Sequence, residues 1–580
     1  MTIFDVLTLI GGLCLFLFGM NVMGEGLERR AGNGLKALLG KLTGSKIKGF
    51  LTGLGVTAVI QSSSATTVMV VGFVNSKIMT LKQSIGVIMG ANIGTTITAW
   101  ILSLGGISSD NIFIKLLKPT SFTPVLALIG TAFLMFAKSG KKKDVGTILL
   151  GFATLMFGMD TMSSAVSGLA DVPAFQNMFL LFKNPILGVI VGAVLTGIIQ
   201  SSSASVGILQ ALSSTGAVSY AAAVPIIMGQ NIGTCVTALL SCVGANKNAK
   251  RAAVIHLSFN VIGTVIWLSV FSIISAVFRP AILDMSADYL GIAVAHSVFN
   301  ILCTALLLPM SSVLEKIAYK IVPEDGEKET TVILDERLLA APTVALAESS
   351  SLTCKMAHLA VDGFKSSLTL IGEYSAETAE NIRRLENETD RYEDILGTYL
   401  TKISSHQIGD EDSTEVSKLL KVIGDFERIS DHSVNILESV EELREKGIEF
   451  SDSAKAELGI LSAALSEILD MTLDSFKNND VDMAYHVEPL EQVIDRLKEK
   501  LRDSHIIRLR SGDCTVEAGF IWADLLTNLG RTSDHCSNVA GCIIDARNSN
   551  MNLHESLREI KAGSPEFKAS YEAYAAKYSL

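Results

Sequence analysis

Two clusters of small polar residues interrupt otherwise apolar stretches of the chain. One is Gln61-Ser62-Ser63-Ser64-Ala65-Thr66-Thr67, the other Gln200-Ser201-Ser202-Ser203-Ala204-Ser205. Each precedes a helical pattern, so residues 62–65 and 201–204 are expected at helix N-termini, where backbone N–H groups lack intrahelical partners. Two such ends facing one another, with serine hydroxyls beside them, would cradle a tetrahedral oxyanion. The same oxygens, with Asn92, Thr95, Thr98, Asn231, Thr234 and Thr237, are hard neutral ligands suited to Na⁺. Neither cluster holds a Lys or Arg. A doubly charged anion taken out of water there needs compensating charge, which co-bound Na⁺ would supply. The plainer alternative is that these Ser and Thr residues only bond backbone or pack at helix crossings.

The elements that must position these clusters are apolar and long. The chain has 580 residues, 49% of them hydrophobic, with a mean hydropathy of +0.41. The apolar stretches all lie before about residue 320, and the remainder is rich in Glu, Lys, Asp and Arg. Spans are expected near residues 5–26, 80–104, 119–137, 145–167, 218–241, 252–278 and 287–312. The run at 6–20 lacks a basic leader and a small-residue cleavage site, and reads as a retained span. Residues 47–77 and 185–214 are broken at mid-length by the polar clusters, leaving flanks too short to cross about 30 Å of hydrocarbon. Each reads as a re-entrant helical hairpin with a polar tip, tolerable only where buried in protein or lining a cavity.

The two halves are repeats in one register. Gln61 and Gln200 lie 139 residues apart, as do Asn92 (GANIGTTITA) and Asn231 (GQNIGTCVTA), Gly19 and Gly158, Gly53 and Gly192, and Thr57 and Thr196. Basic residues mark three loops: Arg29, Arg30, Lys36, Lys41, Lys46 and Lys48; Lys138 and Lys141 to Lys143; Lys247, Lys250 and Arg251. These loops are cytoplasmic if the N-terminus is outside, and seven spans then put the C-terminal half inside. An odd number of crossings between equivalent motifs makes the repeats inverted, with hairpin tips meeting near the midplane. Asp160, His256 and His296 are the ionisable residues nearest the spans, and such residues are functional by default.

Q-S-S-S-A-T-T and Q-S-S-S-A-S, each followed by G-x-N-I-G-T, resemble the paired signatures of type II sodium–phosphate cotransporters over residues 1–315. The resemblance implies Na⁺-driven phosphate movement, with Gln61, Ser62, Ser63, Ser64, Gln200, Ser201, Ser202 and Ser203 at the phosphate and Na⁺ sites. The choice of phosphate over sulfate, and of sodium over protons, comes from it alone. Direction of transport stays open.

Residues 322–345 read as a linker, 346–550 as a soluble helical domain and 551–580 as a C-terminal tail. Helical patterns near 346–373, 376–405, 414–444, 452–478, 481–507 and 514–547 suggest two antiparallel three-helix bundles. Carboxylates recur at i, i+4 in Glu386/Asp390, Glu427/Asp431 and Glu491/Asp495, where salt bridges on a solvated face are the usual explanation. ERISDHSVNILE (427–438) and GRTSDHCSNVA (530–540) resemble the twin signatures of PhoU-like domains, which bind metal clusters. The resemblance assigns Glu386, Asp390, Glu427 and Asp431 to a divalent or transition metal in the first bundle, and Glu491, Asp495 and Asp534 in the second. Gly530 stands where the pattern expects an acidic residue.

The expected fold is therefore all-α: a polytopic membrane domain (1–321) with inverted repeats at about 5–137 and 144–278, an extra span at 287–312, and a soluble bundle pair. The expected function is sodium-coupled phosphate transport across a bacterial inner membrane, regulated through the cytoplasmic domain and an unidentified partner, in a homodimer. Carriage of arsenate or sulfate, or phosphate sensing with little transport, are the rivals. A formal charge of −11 argues against nucleic acid as a partner. No Walker A, G-x-S-x-G or H-E-x-x-H motif points to an enzyme. The eight cysteines form no C-x-x-C pair and read as reduced packing residues.

Overall fold

The computed structural model describes residues 3–40, 45–107, 118–168, 172, 184–323, 334–406, 408–548 and 565–580. Lys41, residues 324–333 of the expected linker and 551–564 of the expected tail lie outside the described residues. The described chain is helical, apart from an isolated bridge between Ser219 and Ser286. It divides into two units, Met1–Val344 and Ala345–Leu580.

In the first unit, α1 (Ile3–Gly40) is followed by a hairpin of two short helices, α2 (Lys46–Ile60) and α3 (Ser63–Asn75), and then by α4 (Leu81–Ser103). The second half repeats this order: α6 (Gly140–Ser167), the short pair α7 (Pro185–Ile199) and α8 (Ser202–Ser213), then α9 (Tyr220–Ser241). Between the halves runs α5 (Pro119–Phe136), and after them α10 (Lys247–Val277), α11 (Tyr289–Leu307) and α12 (Ser311–Ile321). Seven described helices are long and apolar enough to cross a membrane: α1, α4, α5, α6, α9, α10 and α11. The expected span at 287–312 ends early, because Pro309 lacks the N–H that would continue the helix.

Small residues let equivalent helices approach to backbone contact in both halves. A Cβ on Gly53 or Gly90 would collide with the Val87 or Phe50 carbonyl oxygen. At the equivalent Gly192 and Gly229 it would collide with those of Ile226 and Val189. The halves meet where α1 packs on α6 through Gly12, Gly19, Gly151 and Gly158. Gly12 faces Met162, Gly26 faces Ile148, and Arg29 bonds Asp144 at 3.1 Å, so these equivalent helices run antiparallel.

The hairpins are rooted at opposite ends of this unit. At the foot of α3, Asn75 accepts from the Asn246 backbone at the start of α10 (2.8 Å). At the foot of α8, Ser286 and Ala287 bond Gly216 and Val218 beyond the other end of α10. That helix has 31 residues, a length of about 46 Å.

The second unit holds α13 (Pro342–Gly372, which begins just before it), α14 (Ala376–Ser404), α15 (Asp410–Glu445), α16 (Asp452–Asn478), α17 (Val481–Ser511) and α18 (Val516–Asn548). Leu370 of α13 packs with Ala379 and Ile382 of α14 and Leu437 of α15, closing one three-helix bundle. Helices α16, α17 and α18 pack together as a second, and α15 joins the two along α18. Within the expected tail, Pro565–Lys577 forms a further helix, α19, laid on α17 by the Arg496–Tyr571 bond (3.2 Å).

The cavity between the hairpin tips and the acidic faces of the bundles

Each hairpin turns on one glutamine. Gln61 has φ 59° and ψ 21°, and its N–H closes α2 on the Thr57 carbonyl at 2.8 Å. Gln200 repeats this with φ 58° and ψ 23°, bonding Thr196 at 2.7 Å. A left-handed glutamine costs roughly 1–2 kcal/mol, and such strain persists only where its surroundings hold it. Around Gln61 the side chain does so: Nε2 donates to the Ala58 carbonyl and Oε1 accepts from Thr98 at 2.9 Å. Ser62 and Ser201 follow as N-caps, accepting from Ala65 and Ala204 N–H at 3.2 Å each.

The tips meet. The Ser64 hydroxyl donates to the Gln200 carbonyl at 3.4 Å, and both tips line one cavity of about 500 Å³. Residues 60–65 and 199–203 form its walls, together with one face of α1 and Ala340. Ser63, Ser202 and Ser203 are at least nine-tenths buried, and their hydroxyls find no hydrogen-bond partner among the described residues. Hydroxyl donors and two helix N-termini on one cavity are the chemistry that suits an anion rich in acceptor oxygens.

The remaining expected site residues stand behind this wall rather than on it. Thr66, Asn92, Thr95, Asn231 and Thr234 are buried but bond carbonyls within their own helices, as Asn92 to Ile88 (3.1 Å) and Asn231 to Ile227 (2.8 Å). Thr98 reaches the tip through Gln61, to whose Oε1 its hydroxyl donates. The halves differ here. Thr57 donates to Thr66 at 3.0 Å, whereas the equivalent Thr196 and Ser205 oxygens, and that of Thr237, are buried without partners among the described residues.

The sequence reading passed over the α1 face. Asn21, Glu25 and Glu28 line the cavity, and their signal was polar side chains at helical spacing near the end of an apolar run. It also missed the short helix Glu336–Ala340, inside the expected linker. Arg337 there reaches the Ser241 and Val243 carbonyls (2.5 and 3.2 Å), Asp335 takes a bond from Asn75 (2.6 Å), and Leu338 is buried against α3. His256 and His296 are buried within α10 and α11 and do not line the cavity, while Asp160 is exposed.

In the second unit the acidic residues crowd without converging. Among the described residues no three His, Cys, Asp or Glu gather closely enough to hold a metal. Burial first, then the Asp431 carboxylate, pushes Glu427 up to about 7. Glu386 is raised for the same reasons, with Asp390 adding to the repulsion. Arg428 lies 3.5 Å from Glu427 and 4.0 Å from Asp431. The second bundle is balanced differently. Lys498 bonds Asp495 at 2.5 Å and occupies the space beside Gly530, where a Cβ would come within 2.8 Å of its Cδ. An ammonium tethered there leaves Asp495, Asp534 and Glu491 a poor fit for a metal.

Residues 15–164 and 155–295 each match the family model described as Na⁺/Pi-cotransporter, and each match contains one Q-S-S-S tip. Residues 353–440 and 458–543 match the PhoU domain, one per bundle. These are Na⁺/Pi-cotransporter and PhoU domains. The matched Na⁺/Pi-cotransporter family is one of transporters, and seven helices long and apolar enough to cross a membrane, followed by a PhoU pair, are the architecture found among the described residues. The chain is 23% identical over 550 residues to YjbB of Escherichia coli (strain K12), whose name gives inorganic phosphate export, covering 93% of this chain and 97% of that one. It is 36% identical over 148 residues to the rat sodium-dependent phosphate transport protein 2A, 23% of this chain and 22% of that one. Over 146 residues it is 30% identical to PhoU homolog 1 of Thermotoga maritima, an accessory protein of phosphate-specific transport, covering 25% of this chain and 62% of that one. In the Na⁺/Pi-cotransporter half the cavity draws on both matched segments at once, and neither copy builds it alone.

Proposed function

We propose that the protein is a secondary carrier that moves inorganic phosphate together with Na⁺, binding both between the two Q-S-S-S tips. The observation that carries this reading is the shared cavity, where the hydroxyls of Ser63, Ser202 and Ser203, without a partner among the described residues, lie beside two helix N-termini. The antiparallel packing of α1 on α6, and hairpins rooted at opposite ends, support repeats inverted across the membrane, which suits alternating access around a fixed site. Sodium coupling is supported by the likeness to a sodium-dependent transporter and by the need to offset an anion's charge. The name of YjbB gives export, a direction that a carrier moving phosphate with Na⁺ takes only where the outward phosphate gradient exceeds the inward Na⁺ gradient. Of the two acidic faces, that of Glu386, Asp390, Glu427 and Asp431 is the better candidate for a divalent cation, since a bound cation would relieve its repulsion.

The test is radiolabelled phosphate flux in proteoliposomes, with an inward Na⁺ gradient against an equal K⁺ gradient. Flux that needs Na⁺ is expected. Equal flux under both gradients removes sodium from the proposal, and inhibition by sulfate as strong as by unlabelled phosphate removes phosphate.

A further inference from the structure

The two hairpins are rooted by different parts of the chain. The pair α7–α8 is held at its foot by Ser286 and Ala287, in the turn between α10 and α11. The pair α2–α3 is held at its foot by a segment that follows the last candidate span, Asp335–Ala340. There the buried Asn75 is shared. Its amide donates to Asp335 at 2.6 Å, while its side-chain and backbone oxygens accept from Asn246 at 2.8 and 2.7 Å. Leu338, fully buried, fills a groove at Gly72, where a Cβ would come within 3.1 Å of its Cδ2. The equivalent position in the other repeat, 139 residues on, is Ala211, so this groove is a feature of the first repeat.

The same segment also grips the second repeat. Arg337, paired with Asp335 at 2.8 Å, donates to the Ser241 and Val243 carbonyls at 2.5 and 3.2 Å. These carbonyls close the C-terminal end of α9, where a cation is favoured. Ala340 reaches the wall of the tip cavity, and after Ala341 the chain enters α13, whose far end packs in the first PhoU bundle. A short segment thus ties α3 of one repeat to α9 of the other and runs directly into the soluble unit. Alternating access moves one repeat against the other, and a link between them at one end resists that motion.

We propose that Asp335–Ala340 is a regulatory clasp: closed, it brakes the carrier's passage between its two open states, and the PhoU unit releases it through α13. This rests on the carrier reading above and names the route by which the soluble unit regulates it. Such coupling is reciprocal, so phosphate in the cavity acts on α13 as α13 acts on the cavity.

The experiment uses the full chain: phosphate flux in proteoliposomes, and hydrogen exchange in detergent with and without inorganic phosphate in NaCl. Wild type is compared with Arg337→Ala, Arg337→Lys, Leu338→Ala and a short glycine insertion between Ala341 and Pro342, which leaves the clasp contacts in place. Arg337→Ala and Leu338→Ala are expected to raise maximal flux about fivefold, on the scale of one lost hydrogen bond. Both should speed exchange at 70–76, while exchange at 60–65 still slows with phosphate. Arg337→Lys, which keeps the charge but not the planar fork, should fall between. In the wild type phosphate is expected to change exchange at 342–350, and the insertion to abolish that change. Flux unchanged or lower in Arg337→Ala and Leu338→Ala, in chains that melt as the wild type does, overturns the clasp. A response at 342–350 that survives the insertion overturns its route through α13. If phosphate leaves exchange at 60–65 and 199–203 untouched in the wild type, the carrier reading fails. The clasp is then decided by exchange at 70–76, and no change there in Arg337→Ala overturns it. Where a substituted chain melts early, the insertion, which disturbs no contact, decides.

Discussion

Ser64 and Gln200, 136 residues apart in the chain, meet where the Ser64 hydroxyl donates to the Gln200 carbonyl at 3.4 Å. This bond joins one repeat to the other and closes the cavity between the tips. Ser63→Ala or Ser202→Ala, which removes a hydroxyl aimed into that cavity, is expected to raise the phosphate concentration for half-maximal flux about tenfold, the effect of one lost bond to a charged ligand. Flux kinetics at saturating Na⁺ measure it, and unchanged kinetics in both variants would move the anion elsewhere.

The repeats should respond unequally to the same substitution. Thr57→Val breaks the bond to Thr66 and is expected to cost about 1 kcal/mol of stability. Thr196→Val removes an oxygen with no partner among the described residues and is expected to be neutral or stabilising. Thermal melting of the two variants in detergent compares them directly.

The Glu427 face should make the second unit lose stability as pH rises. Burial and Asp431 raise this group to about 7, so the folded chain keeps a proton that the unfolded chain has released. The resulting stability is full below the ordinary carboxylate range, about 4.3, and is lost by about pH 7. Hydrogen exchange in α15 of the full chain is expected to speed up across that window once corrected for intrinsic rates. Glu427→Gln should flatten the trend. Added Mg²⁺ should restore protection at pH 7.5 in the wild type only.

Lys498 and Gly530 form a pair by exclusion. Gly530→Glu places a side chain where the Lys498 stem lies and is expected to lower the melting temperature. Combined with Lys498→Ala, the same change should fold normally and gain a divalent-cation-dependent thermal shift that the wild-type second bundle lacks.

Much of this protein is written in local pattern. The 139-residue register, the broken apolar runs and the boundaries of the spans follow from side-chain type and spacing, because a membrane span is set by apolar length and a helix start by its cap. The Q-S-S-S tips were legible for the same reason. Ser62 and Ser201 can cap only if the preceding glutamine leaves the helix, and both do. What the sequence left open depends on contacts between distant segments. Nothing local says that Glu25 and Glu28 face the tips, or that Asn92 and Asn231 stand behind the cavity wall, since the rotation of α1 is set by its packing on α6, at Gly12, Gly19 and Gly26 and at the Arg29–Asp144 bond. Nor could spacing reveal that Lys498 lies over Gly530, because that space exists only once α17 packs on α18. The sequence by itself determined the helices, their duplication and the chemistry at each break. Tertiary structure alone decided which faces meet, because helix rotation is set by packing against neighbours that the local sequence does not name.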